Sequence, residues 1–249
     1  MMKRSVNSLI GFAIGATNGE LGKVKDFFFD DKTWTIRYLI VETGTWLNGR
    51  KVLISPDAVL MPDWENEIFP VNLTEEQVKN SPEIDTEKPV SRQQELELYE
   101  YYPWTNYWGD VSTGIGMPAP MYPIMHSGEN IRDDKESEGD PHLRSTKNVT
   151  GYSVNATDGD IGDVEDFLID DINWKLDFVI IDTGKWFPGK KVIISPKWIK
   201  EIKWDTSTVI VNASVENVKN SPEYDPKNPL SEVYESELNN YYGGIISNR

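Results

Sequence analysis

Between residues 34 and 42 the chain alternates. Trp34, Ile36, Tyr38 and Ile40 fall on one side, and Thr35, Arg37, Leu39 and Val41 on the other. A period of two predicts a strand. The second side turns apolar only in its later half, so the far end of that strand is expected to be covered on both faces. The same pattern returns with Trp174, Leu176, Phe178 and Ile180. Asn18-Gly19 and Asp158-Gly159 predict two-residue hairpin turns, because a type I′ turn needs positive φ at both central positions. They would join a strand near residues 10–16 to one near 21–29, with a second turn at residues 30–33. Lys51-Val52-Leu53-Ile54-Ser55 reads as a further strand, stopped by Pro56, which has no N–H to donate. Trp64 and residues 67–73 imply one or two more. Thr74-Glu75-Glu76-Gln77 has the form of a capping box that opens a short helix. Ser91 is placed to cap a second helix running toward Tyr102, with Leu96 and Tyr99 on one face.

Shifted by 140 positions, the sequence falls on itself without a gap from Gly11 to Tyr102. Gly19 and Gly22 meet Gly159 and Gly162, and Asp26-Phe27 meets Asp166-Phe167. Trp34, Trp46 and Trp64 meet Trp174, Trp186 and Trp204, and Ile54-Ser55-Pro56 meets Ile194-Ser195-Pro196. About two positions in five are identical over roughly 90 residues, which marks a duplication. Two repeats are too few for a solenoid, and each is large enough to hold a core.

Residues 1–102 and 147–249 are therefore expected to be two copies of one domain, with residues 103–146 between them as a linker. Met117-Pro118-Ala119-Pro120-Met121-Tyr122-Pro123 cannot form a ladder, and residues 133–140 are polar and charged with little to bury. Each copy has five or six short strands rich in turn glycines, the pattern of a small barrel or sandwich. Closure into a barrel would also remove exposed strand edges. The expected fold class is mainly β: two tandem small barrels, each followed by short helices, packed together as an internal pseudo-dimer.

Residues 16–27 (Ala-Thr-Asn-Gly-Glu-Leu-Gly-Lys-Val-Lys-Asp-Phe), Trp34, Arg37-Tyr38-Leu39-Ile40-Val41 and residues 49–56 together resemble the PRC-barrel domain. Asp140-Pro141-His142-Leu143-Arg144-Ser145, ahead of the second copy, resembles the tandem-barrel members of that family. The resemblance spans both repeats and rests on turn glycines and core aromatics, so it speaks to fold. The family includes the cytoplasmic domain of the photosynthetic reaction-centre H subunit and a ribosome-maturation factor. By that analogy alone, one reading places the chain beside membrane electron-transfer complexes.

Composition narrows the partners. With 25 basic and 41 acidic residues the net charge is 25 − 41 = −16, a field that repels phosphate backbones, so nucleic acid is not an expected partner. No apolar run approaches the roughly 18 residues that span a bilayer, which leaves peripheral contact as the only membrane association considered. The absence of cysteine excludes disulfides, thiolate nucleophiles and cysteine-ligated metals. Met1-Met2-Lys3-Arg4, followed by the apolar residues 9–16, has the form of a short signal peptide. The repeat opposes that reading, because Gly11-Phe12-Ala13-Ile14 matches Gly151-Tyr152-Ser153-Val154 inside the chain. A cytoplasmic location is expected.

No set of residues assembles into a reactive centre. Asp158, Asp160, Asp163 and Asp166 resemble a calcium loop, but they lie on a hairpin, and the first copy has Asn18, Glu20, Lys23 and Asp26 there. They are read as a solvated strand face. Asp30-Asp31 and Asp170-Asp171 are read as turn formers. His126 and His142 both fall in the linker, where a catalytic base would lack a rigid setting. No enzymatic activity, metal or cofactor is expected. The candidate interaction residues are Trp46 and Trp186 in matching loops, and Trp104, Tyr107 and Trp108 in an aromatic stretch, because tryptophan and tyrosine anchor interfaces. The expected function is a non-enzymatic adaptor module with a protein partner. A small-ligand binder or enzyme using a cleft between the barrels is the further alternative.

Overall fold

A computed structural model describes residues 2–82, 90, 92–102, 104, 142–184, 190–228 and 230–247. In the first half the elements are β1 (Lys3–Ser5), α1 (Val6–Leu9), β2 (Ala13–Ala16), β3 (Gly19–Asp30), β4 (Thr35–Thr43), β5 (Lys51–Ile54), β6 (Ile68–Pro70), α2 (Glu75–Lys79) and α3 (Arg92–Tyr101). The second half repeats them, with β12 added, as β7 (Leu143–Ser145), α4 (Thr146–Val149), β8 (Ser153–Asn155), β9 (Asp160–Asp170), β10 (Leu176–Asp182), β11 (Lys191–Ile194), β12 (Ile199–Lys203), β13 (Thr208–Val211), α5 (Val215–Lys219) and α6 (Glu232–Ser247).

The strands form two sheets of matching order, β5-β4-β3-β2-β6 and β11-β10-β9-β8-β13-β12. Neighbours are antiparallel except β2–β6 and β8–β13, which run parallel. The protein is mainly β with barrel-like halves, although neither hydrogen-bonded path closes on itself among the described residues. Each sheet has one member from the other half. β1 pairs with β9, and β7 pairs with β3.

The long strands β3 and β9 set this arrangement. A bulge at Lys25 shifts the register between Val24 and Asp26, and one at Glu165 does the same in β9. Beyond each bulge the strand is buried on both faces, from Asp26 to Asp30 and from Asp166 to Asp170. Gly22 has φ of 152° and lies so close to β4 that a Cβ would stand 2.1 Å from the Glu42 carbonyl oxygen. Gly162 repeats this against Asp182 at 2.0 Å. Gly22→Ala is expected to cost about 3 kcal/mol, because the backbones must part and the alanine is strained. Urea denaturation checks this, and a loss below about 1 kcal/mol would contradict the close approach.

Both halves share one hydrophobic core. Within the first half Phe12, Trp64 and Phe69 pack together, with Phe12 and Phe69 5.0 Å apart between ring centroids. Trp174 of the second half lies 5.6 Å from Phe69, and Phe29 lies 6.0 Å from Phe167. The expected pseudo-dimer is therefore a single packed body.

Three local expectations change. The hairpin turn is centred on Thr17 and Asn18, since Ala16 pairs with Gly19, and neither Asn18 nor Gly19 has positive φ. A type I′ turn is thus absent. The Asn18 side chain instead accepts from the Glu75 N–H at 3.0 Å, and Asp158 accepts from the Val215 N–H at 2.7 Å, so each turn caps a helix across the barrel. Trp34 does not open β4 but sits before it, with φ of 58°. In α3 Glu95 and Leu98 are buried and Tyr99 is only partly covered, while the side chain of Leu96 lies outside what is described. Thr74 and Gln77 form the expected capping box.

Candidate functional site

The short β2 leaves much of β3 without a neighbour. It accompanies β3 only from Gly19 to Lys23, and hydrogen bonds from Val24 to the backbone at Gly11 and Phe12 extend the contact by one residue. An open edge invites another strand. β7 fills it, pairing Ser145 with Phe28, Arg144 with Phe29 and Leu143 with Asp30. The reciprocal edge of β9 receives β1, with Ser5 on Leu168, Arg4 on Ile169 and Lys3 on Asp170. The halves have exchanged their leading strands.

Side chains fix each exchanged strand by the same device. Ser145 caps α4 by accepting from the Asn148 N–H at 3.0 Å, and its hydroxyl proton goes to the buried Asp26 carboxylate. Asp26 also accepts from Thr146 Oγ1 at 2.9 Å, from the Lys147 N–H at 3.1 Å and from the Phe27 N–H at 2.7 Å. In the other half Ser5 caps α1 and donates to Asp166, which also accepts from the Asn7 and Phe167 N–H groups at 3.1 and 2.7 Å. Burial raises the Asp166 carboxyl above its ordinary value, against the opposing pull of Ser5 and the two N–H groups. Asp166, expected on a solvated face, and its counterpart Asp26 are thus buried fastenings between the halves. The bulges at Lys25 and Glu165 change the strand's phase, which simple alternation cannot show.

A second layer of charge surrounds this. Arg144 Nε donates to Asp31 Oδ2 at 2.9 Å, and Arg4 Nε to Asp171 Oδ2 at 3.2 Å. The Asp31 N–H donates to the His142 carbonyl at 2.8 Å, and His142 Nδ1 lies 3.2 Å from Asp31 Oδ1. The guanidinium groups stack on Trp204 and Trp64, at 4.1 and 3.5 Å from the ring centroids. Asp30 and Asp170 make the expected turns, since Asp30 accepts from the Lys32 and Thr33 N–H groups and Asp170 from those of Ile172 and Asn173.

Lys3 is buried and bonded to Asp170, at 3.1 Å, and to Asp177. Burial works to lower its pKa, but the two carboxylates outweigh it and hold the ammonium above its ordinary 10.5. For Asp170 burial works upward, and the N–H groups of Ile172 and Asn173 together with Lys3 hold it below 3.8. A raised lysine contributes stability that is full below pH 10.5 and is lost as pH rises through its folded value. A depressed carboxylate contributes stability that is present above pH 3.8 and is lost as pH falls through its folded value. The pair is expected to hold between about pH 4 and pH 10. Thermal midpoints of the protein and of Lys3→Met, taken from below about pH 4 to above about pH 10, check this: the gap between them should be constant inside that range and narrow beyond either end, and a gap independent of pH throughout would contradict it.

Two clefts flank the seam where Thr35 and Lys175 bridge the halves. One has a volume of about 390 Å³ and is lined by Lys3, Lys32 and Trp34 of the first half and Lys175, Lys197 and Glu235 of the second. The other, of about 560 Å³, is its counterpart, with Arg37, Asp57 and Tyr99 against Ile172, Asn173 and Trp174. Glu235 is raised above its ordinary value by burial, with Asp177 and Asp170 adding and Lys3 opposing. Among the described residues no group of three or more His, Cys, Asp or Glu is placed to hold a metal ion.

Of the candidate interaction residues, Trp46 is half-buried and its indole N–H donates to the Leu21 carbonyl at 2.9 Å. Trp104 stacks on Tyr102 at 4.1 Å. Trp186, Tyr107, Trp108 and His126 lie outside the described residues. Residues 143–146, counted with the linker in the sequence, form β7 and open α4. Their signal was present: Arg4-Ser5 and Arg144-Ser145 stand at the same offset of 140 as the rest of the repeat.

A pair of sheets sharing one core, each completed by its partner's leading strand, defines a duplicated barrel-like β protein. Residues 1–78 match the family model of the PRC-barrel domain, so that segment carries a PRC-barrel domain. The match ends at residue 78, and the second half is related to it by strand order and register. No curated protein matches the chain.

Proposed function

We propose that the protein is a non-enzymatic interaction module whose first half presents an apolar contact to a protein partner. The observation that carries this is Leu60-Met61, adjacent residues that are 52% and 88% exposed. The second half has Lys200 and Glu201 at the matching positions, both exposed. Apolar surface of this kind on one copy, with charge on the other, is what a one-sided docking contact requires. Of the buried carboxylates, Asp26, Asp166 and Asp170 are occupied in joining the halves, Asp30 in its turn, and Glu95 in accepting from the Tyr38 hydroxyl. The test is quantitative capture from native lysate with the protein and with Leu60→Lys/Met61→Glu, which gives the first half the residues of the second. A partner held by the former and weakened about tenfold or more by the latter is expected. Absence of any reproducible partner, or equal capture by both, would remove the reading.

A ligand-binding reading has the inter-half clefts behind it, since pockets of a few hundred Å³ at domain interfaces are where small molecules bind. A metabolite panel read by thermal shift tests it. A hit abolished by Lys197→Glu supports it, and no shift across the panel removes it. Among the described residues no helix is long and apolar enough to cross a membrane.

A further inference from the structure

The exchange seam contains contacts of two kinds. Most recur in both halves: Ser5 on Asp166 matches Ser145 on Asp26, and Arg4 on Asp171 matches Arg144 on Asp31. Because the residue types are the same, these contacts would form in any pairing of halves. Three side-chain contacts do not recur: Thr146 on Asp26 has Val6 in the other half, His142 beside Asp31 has Met2, and the third is the lysine contact. Lys3, bonded to Asp170 and Asp177, corresponds at the offset of 140 to Leu143, Asp30 and Arg37.

We propose that the Lys3 contact, the one that places an ammonium between two carboxylates, makes the strand exchange selective, so that the leading strand of a first half fits only a second half, in its own chain or in another copy of this chain. Two first halves exchanging strands would bring Lys3 to Asp30 and Arg37, where a second cation replaces one of its two carboxylates. Two second halves would bring Leu143 to Asp170 and Asp177, leaving two carboxylates at the seam without their ammonium. An ionic group at a seam costs most when its partner is removed, and selectivity arises as much from such mismatches as from the matched contact. The side chain of Lys3 is only 4% exposed and that of Asp170 2%, whereas Asp177 is 28% exposed, so the mismatch falls chiefly on the Lys3–Asp170 contact. Any larger assembly made by exchange is then built from pairs of unlike halves.

Both mismatched pairings can be imitated inside the full-length chain without changing its net charge. Lys3→Leu/Leu143→Lys exchanges the two strand residues, and Arg37→Asp/Asp177→Arg exchanges the residues that receive them. Each two-site variant puts leucine against the acids meant for lysine, or lysine against arginine. The variant with all four substitutions transfers the whole arrangement to the other seam. Each two-site variant is expected to lose about 5–10 °C in thermal midpoint, and the four-site variant to regain more than half of that loss. If a two-site variant fails to fold, recovery of a folded four-site variant still supports the proposal. Midpoints unmoved in the two-site variants, or a four-site loss equal to the sum of the two, overturn it.

Discussion

Deleting residues 1–5 is expected to lower the thermal midpoint by roughly 10 °C or more and to make the protein associate. The deletion removes β1, so the backbone of Leu168, Ile169 and Asp170 faces solvent as an open strand edge. It also takes Ser5 from Asp166 and Lys3 from Asp170 and Asp177. Removing one partner of a buried ion pair costs about 3–5 kcal/mol, and a body of this size shifts its midpoint by about 2–4 °C per kcal/mol. The open edge then offers itself to a second molecule. Scanning calorimetry and light scattering read the two effects together. An unchanged midpoint with a monodisperse sample would show that β1 contributes nothing.

Asp26→Ala should be the most damaging single substitution at the seam, and more damaging than Asp166→Ala. Asp26 accepts from two hydroxyls, Ser145 and Thr146, and from two N–H groups, those of Phe27 and Lys147. Asp166 accepts from one hydroxyl and two N–H groups, because Val6 stands where the other half has Thr146. Each buried donor left unpaired costs about 1–3 kcal/mol, so Asp26→Ala is expected to lose roughly 4 kcal/mol and Asp166→Ala less. The raised carboxyl of Asp166 points the same way, since its charge is held less favourably in the folded protein than in the unfolded chain. Chemical denaturation of both variants measures the order. The reverse order would mean that the two fastenings do not work by counting donors.

The duplication, the succession of strands and the capping box at Thr74 were legible in the sequence, because glycine, proline, tryptophan and capping residues act locally. Face assignment failed where a bulge intervened. Asp166 looked like part of a solvated acidic run, and its counterpart Asp26 drew no reading of its own, but the bulges at Glu165 and Lys25 shift the register and bury both. Asn18-Gly19 looked like a type I′ turn, yet the Asn18 side chain serves α2, a contact made with a residue 57 positions away. In α3 the apolar spacing pointed to Tyr99, which is only partly covered, whereas Glu95 is buried because its Oε1 accepts from the buried Tyr38 hydroxyl at 2.8 Å. The second half has Phe178 at the position of Tyr38, and Glu235 there is correspondingly more exposed.

The exchange itself could not be read from periodicity. Alternation says which face a residue takes but not which strand lies beside it. Arg4-Ser5 and Arg144-Ser145 lie at the repeat offset, but their neighbours differ, Met2-Lys3 against His142-Leu143 and Val6 against Thr146, which hid the extension of the repeat toward the N-terminus. Those same differences set the two seams apart chemically.

The pairing of the leading strands is most directly tested by cross-strand nuclear Overhauser contacts in the full-length protein. Reciprocal exchange predicts backbone contacts joining Arg4 to Ile169 and Arg144 to Phe29. Contacts joining Arg4 to Phe29 and Arg144 to Ile169 would show that each half keeps its own strand, and would contradict it.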